Sequence, residues 1–206
     1  VFITLEGGDG SGKSTQAAKL EEWLTAEGRT VVRTREPGGT EFGNEIREIV
    51  LHSTGDISPR AEALLYAADR AHHIATKVRP ALERGDVVVQ DRYLDSSVAY
   101  QGAGRVLEPD QIRRLSLWAA DELLPDVTIL LDLDESAARA RLDGDNKRFD
   151  RLEAEESRFH RRVREAYLAL AAAEPERFLV VDGSLPADEI ARRVRERVEH
   201  IVRARR

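Results

Sequence analysis

Apolar and polar positions along the chain follow two periods in alternation. Continuous apolar runs predict five strands, at 1–5, 30–32, 87–89, 127–131 and 178–181. Between them the apolar positions recur at helical spacing. Ala17, Leu20 and Leu24 share one face of a helix over 15–27, which Gly28 closes. Ile46, Ile49 and Val50 do the same over 41–51. Ser58 as N-cap and Pro59 at the first helical position open a longer helix running to residue 84, kinked near Pro80. Further helices are predicted over 108–123, 134–142, 153–173 and 186–203, and residues 91–104 read as a polar loop that enters a helix partway. Strand and helix alternate throughout. That pattern specifies an α/β fold, a parallel sheet with helices on both faces joined by right-handed crossovers. Ligands in such a fold bind beyond the carboxyl ends of the strands. A length of 206 residues without an internal repeat or linker predicts one domain, 1–206.

The first strand-to-helix turn carries chemistry. Gly7-Gly8-Asp9-Gly10-Ser11-Gly12-Lys13-Ser14, followed by Thr15, fits the phosphate-binding pattern G-x-x-x-x-G-K-[ST] at every fixed position. The glycines let successive N–H groups curl around an anion, and the helix N-terminus adds donors and the positive end of its dipole. Lys13 is expected to reach the β- and γ-phosphates of a nucleotide, and the Ser14 hydroxyl to ligate Mg²⁺. Asp9 is out of place here, because a carboxylate in an anion-binding loop weakens phosphate binding.

Composition narrows the partners. A net charge of −6 argues against affinity for nucleic acid polymers. The absence of Cys removes disulfides, thiolate catalysis and Cys-based zinc sites, and is compatible with a reducing cytoplasm, the expected location. No apolar run approaches the ~20 residues of a spanning helix and no signal-peptide pattern is visible, so no membrane partner is expected. The five histidines show no metal spacing and read as structural or surface residues. The chain opens at Val1 within a strand pattern and contains no Met, so a few residues are expected before it.

A phosphate-binding loop does not by itself specify a reaction. Asp91-Arg92-Tyr93 follows the third strand, where Asp91 can hold Mg²⁺ or its waters and Arg92 offers a planar fork to a second phosphate. Arg35, Arg47, Arg70 and Arg92 all flank the ligand edge of the sheet. One triphosphate does not need them; a second phosphorylated substrate would. The charged stretch 143–151, with Lys147, Arg148 and Arg151 following Arg139 and Arg141, suits either a mobile lid over transferring phosphates or a solvated loop. A GTPase would carry Asn-Lys-x-Asp, whereas Asn146-Lys147-Arg148-Phe149 lacks the Asp and follows no strand. The glycine loop, strand lysine and His-Arg-Asp of protein kinases are absent. Two readings remain: direct phosphoryl transfer between two bound phosphates, or an ATPase switch acting through a partner. The arginines favour the first.

Four stretches then resemble one family over nearly the whole chain: Glu6-Gly-Gly-Asp-Gly-Ser-Gly-Lys-Ser-Thr15, Arg35-Glu-Pro-Gly-Gly-Thr40, Asp91-Arg-Tyr-Leu-Asp-Ser-Ser-Val-Ala-Tyr-Gln-Gly102 and Asp150-Arg-Leu-Glu153. They resemble thymidylate kinase, the dTMP kinase of the P-loop nucleoside monophosphate kinase group, in its bacterial form. The resemblance implies a P-loop kinase fold with a five-stranded parallel sheet and a short mobile lid near 142–152. It implies transfer of the ATP γ-phosphate to dTMP with Mg²⁺, in a homodimer. Asp9 would contact the acceptor sugar, Arg92 with Arg35 the acceptor phosphate, and Tyr66 and Arg70 the thymine, although Tyr66 also reads as a core aromatic. Phe is commoner at that position. Ser97 and Gln101 would face the thymine N3–O4 edge, Tyr100 would crowd a 2′-hydroxyl, and Arg47 is either near the acceptor or a surface arginine. Position 10 is Gly where one branch of the family has an assisting Arg, so the lid would supply that charge from Arg141, Arg148 or Arg151. Arg141 is alternatively placed against adenine, opposite Asp182-Gly183-Ser184.

Overall fold

The structure, a computed structural model, describes residues 1–53, 55–103, 107–143 and 151–204, with side chains for all of these but 142, 143 and 151–156. The strands β1 (Phe2–Glu6), β2 (Val31–Arg35), β3 (Val87–Asp91), β4 (Val127–Asp132) and β5 (Phe178–Asp182) form one sheet in the order β2-β3-β1-β4-β5. Every pairing is parallel, with Phe2 opposite Val88 and Ile3 opposite Val127. The helices are α1 (Lys13–Ala26), α2 (Glu41–His52), α3 (Pro59–His73), α4 (Arg79–Glu83), α5 (Leu94–Ser97), α6 (Pro109–Ala119), α7 (Glu135–Asp143), α8 (Arg151–Ala173) and α9 (Ala187–Ala204).

Alternation along each strand feeds two cores. Ile3, Leu5, Val89 and Ile129 pack on Leu20 and Leu24 of α1 and on Val194 and Val198 of α9. On the other face, Phe2 and Val88 meet Ile74, Val78, Tyr93 and Leu94. Further along that face, Leu130 and Phe178 meet Val163 and Tyr167 of α8. Each fully buried Val or Leu contributes about 1.5–3 kcal/mol, so this sandwich holds the strand ends rigidly in line. The carboxyl ends of β1, β3 and β4 then present their loops along one edge.

Three boundaries differ from the periodic pattern. The helix expected to run to residue 84 ends at His73 and passes through a π-helical turn, Ile74–Val78, before α4. Pro80 lacks an N–H to close an ordinary turn on residue 76, so the chain widens ahead of it rather than kinking at it. β2 runs on to Arg35 because Arg35 pairs in register with Asp91, which carries the arginine to the ligand edge. The helix expected over 108–123 stops at Ala119, and Asp121 and Glu122 turn to φ 50° and 56°.

Candidate active site

The glycine loop sits where β1 ends. Gly7 has φ 137°, and a Cβ there would lie 2.6 Å from the Leu131 carbonyl oxygen, so no other residue fits without moving β4. Gly12 caps α1 without a side chain, which leaves the first N–H groups of the helix for a ligand. Lys13 folds back over the loop and donates from Nζ to the carbonyls of Gly7 (3.1 Å) and Gly8 (2.8 Å). Burial, with the Arg92 charge, pulls its ammonium down to about 8. Thr15 is exposed in the first turn of α1.

Ser14 Oγ donates to Asp91 Oδ2 at 3.1 Å, joining the loop to the end of β3. Asp91 Oδ1 and Ser11 Oγ are buried and have no partner among the described residues. Buried polar atoms are ordinarily paired, so these two mark where phosphate or metal would sit. A hydroxyl beside a carboxylate oxygen is the donor set of a hard cation such as Mg²⁺. Among the described residues no group of three or more His, Cys, Asp or Glu could cage a metal alone.

Arg92 links the loop to the segment after β3 and to α8. Its backbone sits at φ 65°, a left-handed conformation uncommon for a non-glycine residue. One terminal nitrogen donates to Ser96 Oγ (3.2 Å) and the Tyr167 hydroxyl (3.4 Å). The other donates to Asp9 Oδ1 (2.6 Å) and the Tyr100 hydroxyl (3.3 Å). Burial works against the Asp9 carboxylate, but the Arg92 charge holds it below its ordinary range. Behind Arg92 lies Glu6, wholly buried, which accepts from Tyr93 N–H (2.7 Å), Ser96 Oγ (2.6 Å) and the Tyr167 hydroxyl (2.9 Å). Burial, with Asp95 nearby, raises its carboxyl to about 7. Sequence reasoning missed Glu6, Ser96 and Tyr167 as site residues. The available signal was a lone Glu closing a strand run with no other ionisable side chain, where such a group needs dedicated partners.

The β2–α2 loop and α3 form the far wall. Glu62, Tyr66 and Arg70 follow one another at four-residue spacing on α3, so they share a face. Arg70 is only 1% exposed. It donates to Glu36 Oε2 (2.9 Å), Ser116 Oγ (3.0 Å) and Ser97 Oγ (3.2 Å), which uses three of its five N–H donors. Tyr66 is half-buried, and burial, with Glu62 close by, raises its hydroxyl pKa. Gln101 donates from Nε2 to Glu62 Oε1 at 3.0 Å. Arg35 is exposed at the start of the loop. Arg47 donates to the Pro37 carbonyl (3.0 Å), so it braces this loop rather than projecting from the surface. Gly39 has φ 81°, and a Cβ there would fall 2.5 Å from Thr34 Oγ1.

A buried polar cluster holds that loop. Glu36 accepts from Arg70 and, at 3.0 Å, from His73 Nδ1, since a carboxylate has no proton to give back. His73 Nε2 shares a hydrogen bond with Thr34 Oγ1 at 2.7 Å. Asp69 accepts from Gly38 N–H at 3.3 Å to both oxygens. Burial, with the neighbouring Glu36 charge, raises the Asp69 carboxyl to about 7. A raised carboxyl stabilises the fold fully below its unfolded value near 4, and that contribution is lost as pH rises through about 7. Asp69→Asn removes this dependence. Thermal melts at pH 5 and pH 8 are therefore expected to show Tm of the variant gaining on wild type by about 2–4 °C for each kcal/mol involved. A constant difference between the two pH values would show that Asp69 does not titrate there.

On the opposite side of the loop, Arg141 donates to the carbonyls of Gly183 (2.8 Å) and Gly10 (3.4 Å). It thus spans the gap between the glycine loop and the β5–α9 turn. Arg148 lies outside the described residues, as does the side chain of Arg151.

Comparison with known proteins bears on the family and the fold. A family model described as thymidylate kinase matches residues 5–194. The thymidylate kinase of Leifsonia xyli subsp. xyli is 74% identical over 199 residues, covering 97% of this chain and 94% of that one. That of Clavibacter sepedonicus is 70% identical over 204 residues, covering 99% and 97%. The crystal structure of the Ehrlichia chaffeensis thymidylate kinase superposes with a TM-score of 0.79 at 30% identity, over 96% of this chain and 98% of that one. With a family model matching residues 5–194 and these relatives covered over nearly their whole length, the chain belongs to the thymidylate kinase family.

Proposed function

We propose that Lys13, Arg92 and a Mg²⁺ ion held by Ser14 and Asp91 carry the family's reaction, transfer of the ATP γ-phosphate to dTMP giving dTDP and ADP. The observation that carries this reading is the Arg92–Asp9 pair at 2.6 Å, which joins the donor loop to the acceptor side. Direct transfer needs two phosphates in line, positive charge on the transferring group and little covalent help from the protein. Gly7, Gly8, Gly10, Ser11 and Gly12 supply the loop that receives the donor phosphates, and Lys13 follows the β- and γ-phosphates. Ser14 and Asp91 would hold the ion, which would supply positive charge to offset that of the phosphates. Arg92 and Arg35 orient the acceptor phosphate. Asp9 accepts from the sugar hydroxyl, and Tyr100, beside Arg92, crowds the 2′ position.

Tyr66 stacks on the base, and Arg70, Ser97 and Gln101 read its edge. Arg141 covers the adenine, and Arg148 or Arg151 in the lid brings the charge that Gly10 lacks. The chain works as a homodimer in the cytoplasm. The exposed Phe42 and Ile49 of α2, Leu64 of α3 and Trp118 of α6, the last 79% exposed, support a dimer face, since α3 packs against both α2 and α6.

The test is ADP release across dTMP, dUMP, dCMP, dAMP and dGMP, in wild type and in Arg70→Ala. Wild type is expected to prefer dTMP. Arg70→Ala is expected to raise KM for dTMP about 10–100-fold, with KM for ATP nearly unchanged. Removing Arg70 also strips the buried Glu36 of its main partner, so Tm falls as well. A variant that lost ATP affinity instead would move α3 away from the acceptor.

A further inference from the structure

An amide side chain can face a ligand with either its oxygen or its NH₂, because the two ends have nearly the same shape. For Gln101 a neighbour decides. Its Nε2 lies 3.0 Å from Glu62 Oε1. An ionised carboxylate only accepts, so it holds the NH₂ end. The Gln101 oxygen is left without a donor among the described residues.

The surroundings say what that oxygen meets. Glu62, Tyr66 and Arg70 form one stripe on α3, and Glu62 bonds Gln101 while Arg70 bonds Ser97. The two segments therefore run antiparallel with Tyr66 between the two contacts. Arg70 has donors to spare at one end of this slot, and Gln101 has an acceptor at the other. Thymine presents a matching edge, with O4 accepting and N3–H donating. Cytosine reverses both, with its N4 amine donating and N3 accepting.

We propose that Glu62 is a positioning residue that fixes the Gln101 amide with its oxygen toward the acceptor base, and thereby makes the slot reject cytosine. The proposal rests on reading Tyr66, Arg70 and Gln101 as the base slot. With Glu62 in place, turning the amide over sets a carbonyl oxygen against a carboxylate. With a neutral partner at 62, either orientation is available, and one of the two edge contacts then suits cytosine.

The experiment measures kcat/KM for dTMP and dCMP by ADP release, in wild type, Glu62→Gln, Glu62→Ala and Gln101→Ala. Glu62→Gln is expected to raise the dCMP-to-dTMP ratio of kcat/KM by about 10-fold or more. Glu62→Ala, which removes the acceptor without adding a donor, shifts the ratio in the same direction and covers the case in which the first variant folds poorly. A ratio within about two-fold of wild type in both Glu62 variants, while Gln101→Ala shifts it, overturns the role of Glu62 and leaves the slot intact. A ratio unmoved by Gln101→Ala overturns the slot reading itself, and the proposal with it.

Discussion

Lys13→Ala is expected to lower kcat by about 10³-fold or more, the scale of a lost preorganised charge at a transferring group. In the structure Lys13 is 8% exposed and tied to two loop carbonyls, so its ammonium stands at the mouth of the phosphate cradle before any nucleotide arrives. Water is mostly excluded there, and the interaction with developing negative charge is correspondingly strong. Arriving phosphates take over the ammonium from the carbonyls and favour its charged form. Alanine leaves the cradle's N–H groups in place, so KM for ATP is expected to change far less than kcat. Steady-state ADP release at saturating ATP and dTMP measures this. A kcat within about 10-fold of wild type would remove Lys13 from the centre of the mechanism.

Arg92→Lys is expected to lower kcat/KM for dTMP by about 10²–10³-fold despite keeping the charge. The guanidinium reaches four side chains from two nitrogens, Ser96 and Tyr167 from one and Asp9 and Tyr100 from the other. A lysine ends in a single nitrogen and cannot bridge the Glu6-supported pair and Asp9 together. The acceptor phosphate would then lose its orientation while ATP still binds the loop. Comparing kcat/KM for dTMP with KM for ATP in the variant separates the two effects. If both fell together, Arg92 would belong to the donor site instead.

Much of the fold could be read from local pattern. All five strands and the glycine loop rest on runs of residues that are contiguous in the chain, and each was found in the order the pattern set, with β2 running on past its expected end. The direction of the sheet followed from alternation alone. The π-helical turns at Ile74–Val78 and Val98–Ala103 did not show, because apolar spacing barely distinguishes them from an α-helix. The brace behind Arg92 was invisible for another reason. Glu6 and Tyr167 bond across 161 positions of sequence, and nothing local to either marks the other. Arg70 illustrates the same limit. Its place on the helix was legible, but its immersion in a buried cluster with Glu36, Ser97 and Ser116 came only from packing.

Glu36 lies next to Arg35 on the acceptor loop, yet its carboxylate is held by Arg70 on the wall assigned to the base. One buried anion thus ties the β2–α2 loop to α3. A base that draws on Arg70 loads Glu36, and Glu36 loads the loop on which Arg35 stands. With Arg70 at the base and Arg35 at the phosphate, as proposed, the two halves of the acceptor would not be independent fragments: their binding free energies are expected to be coupled, and the affinity of the whole to depart from the product of its parts.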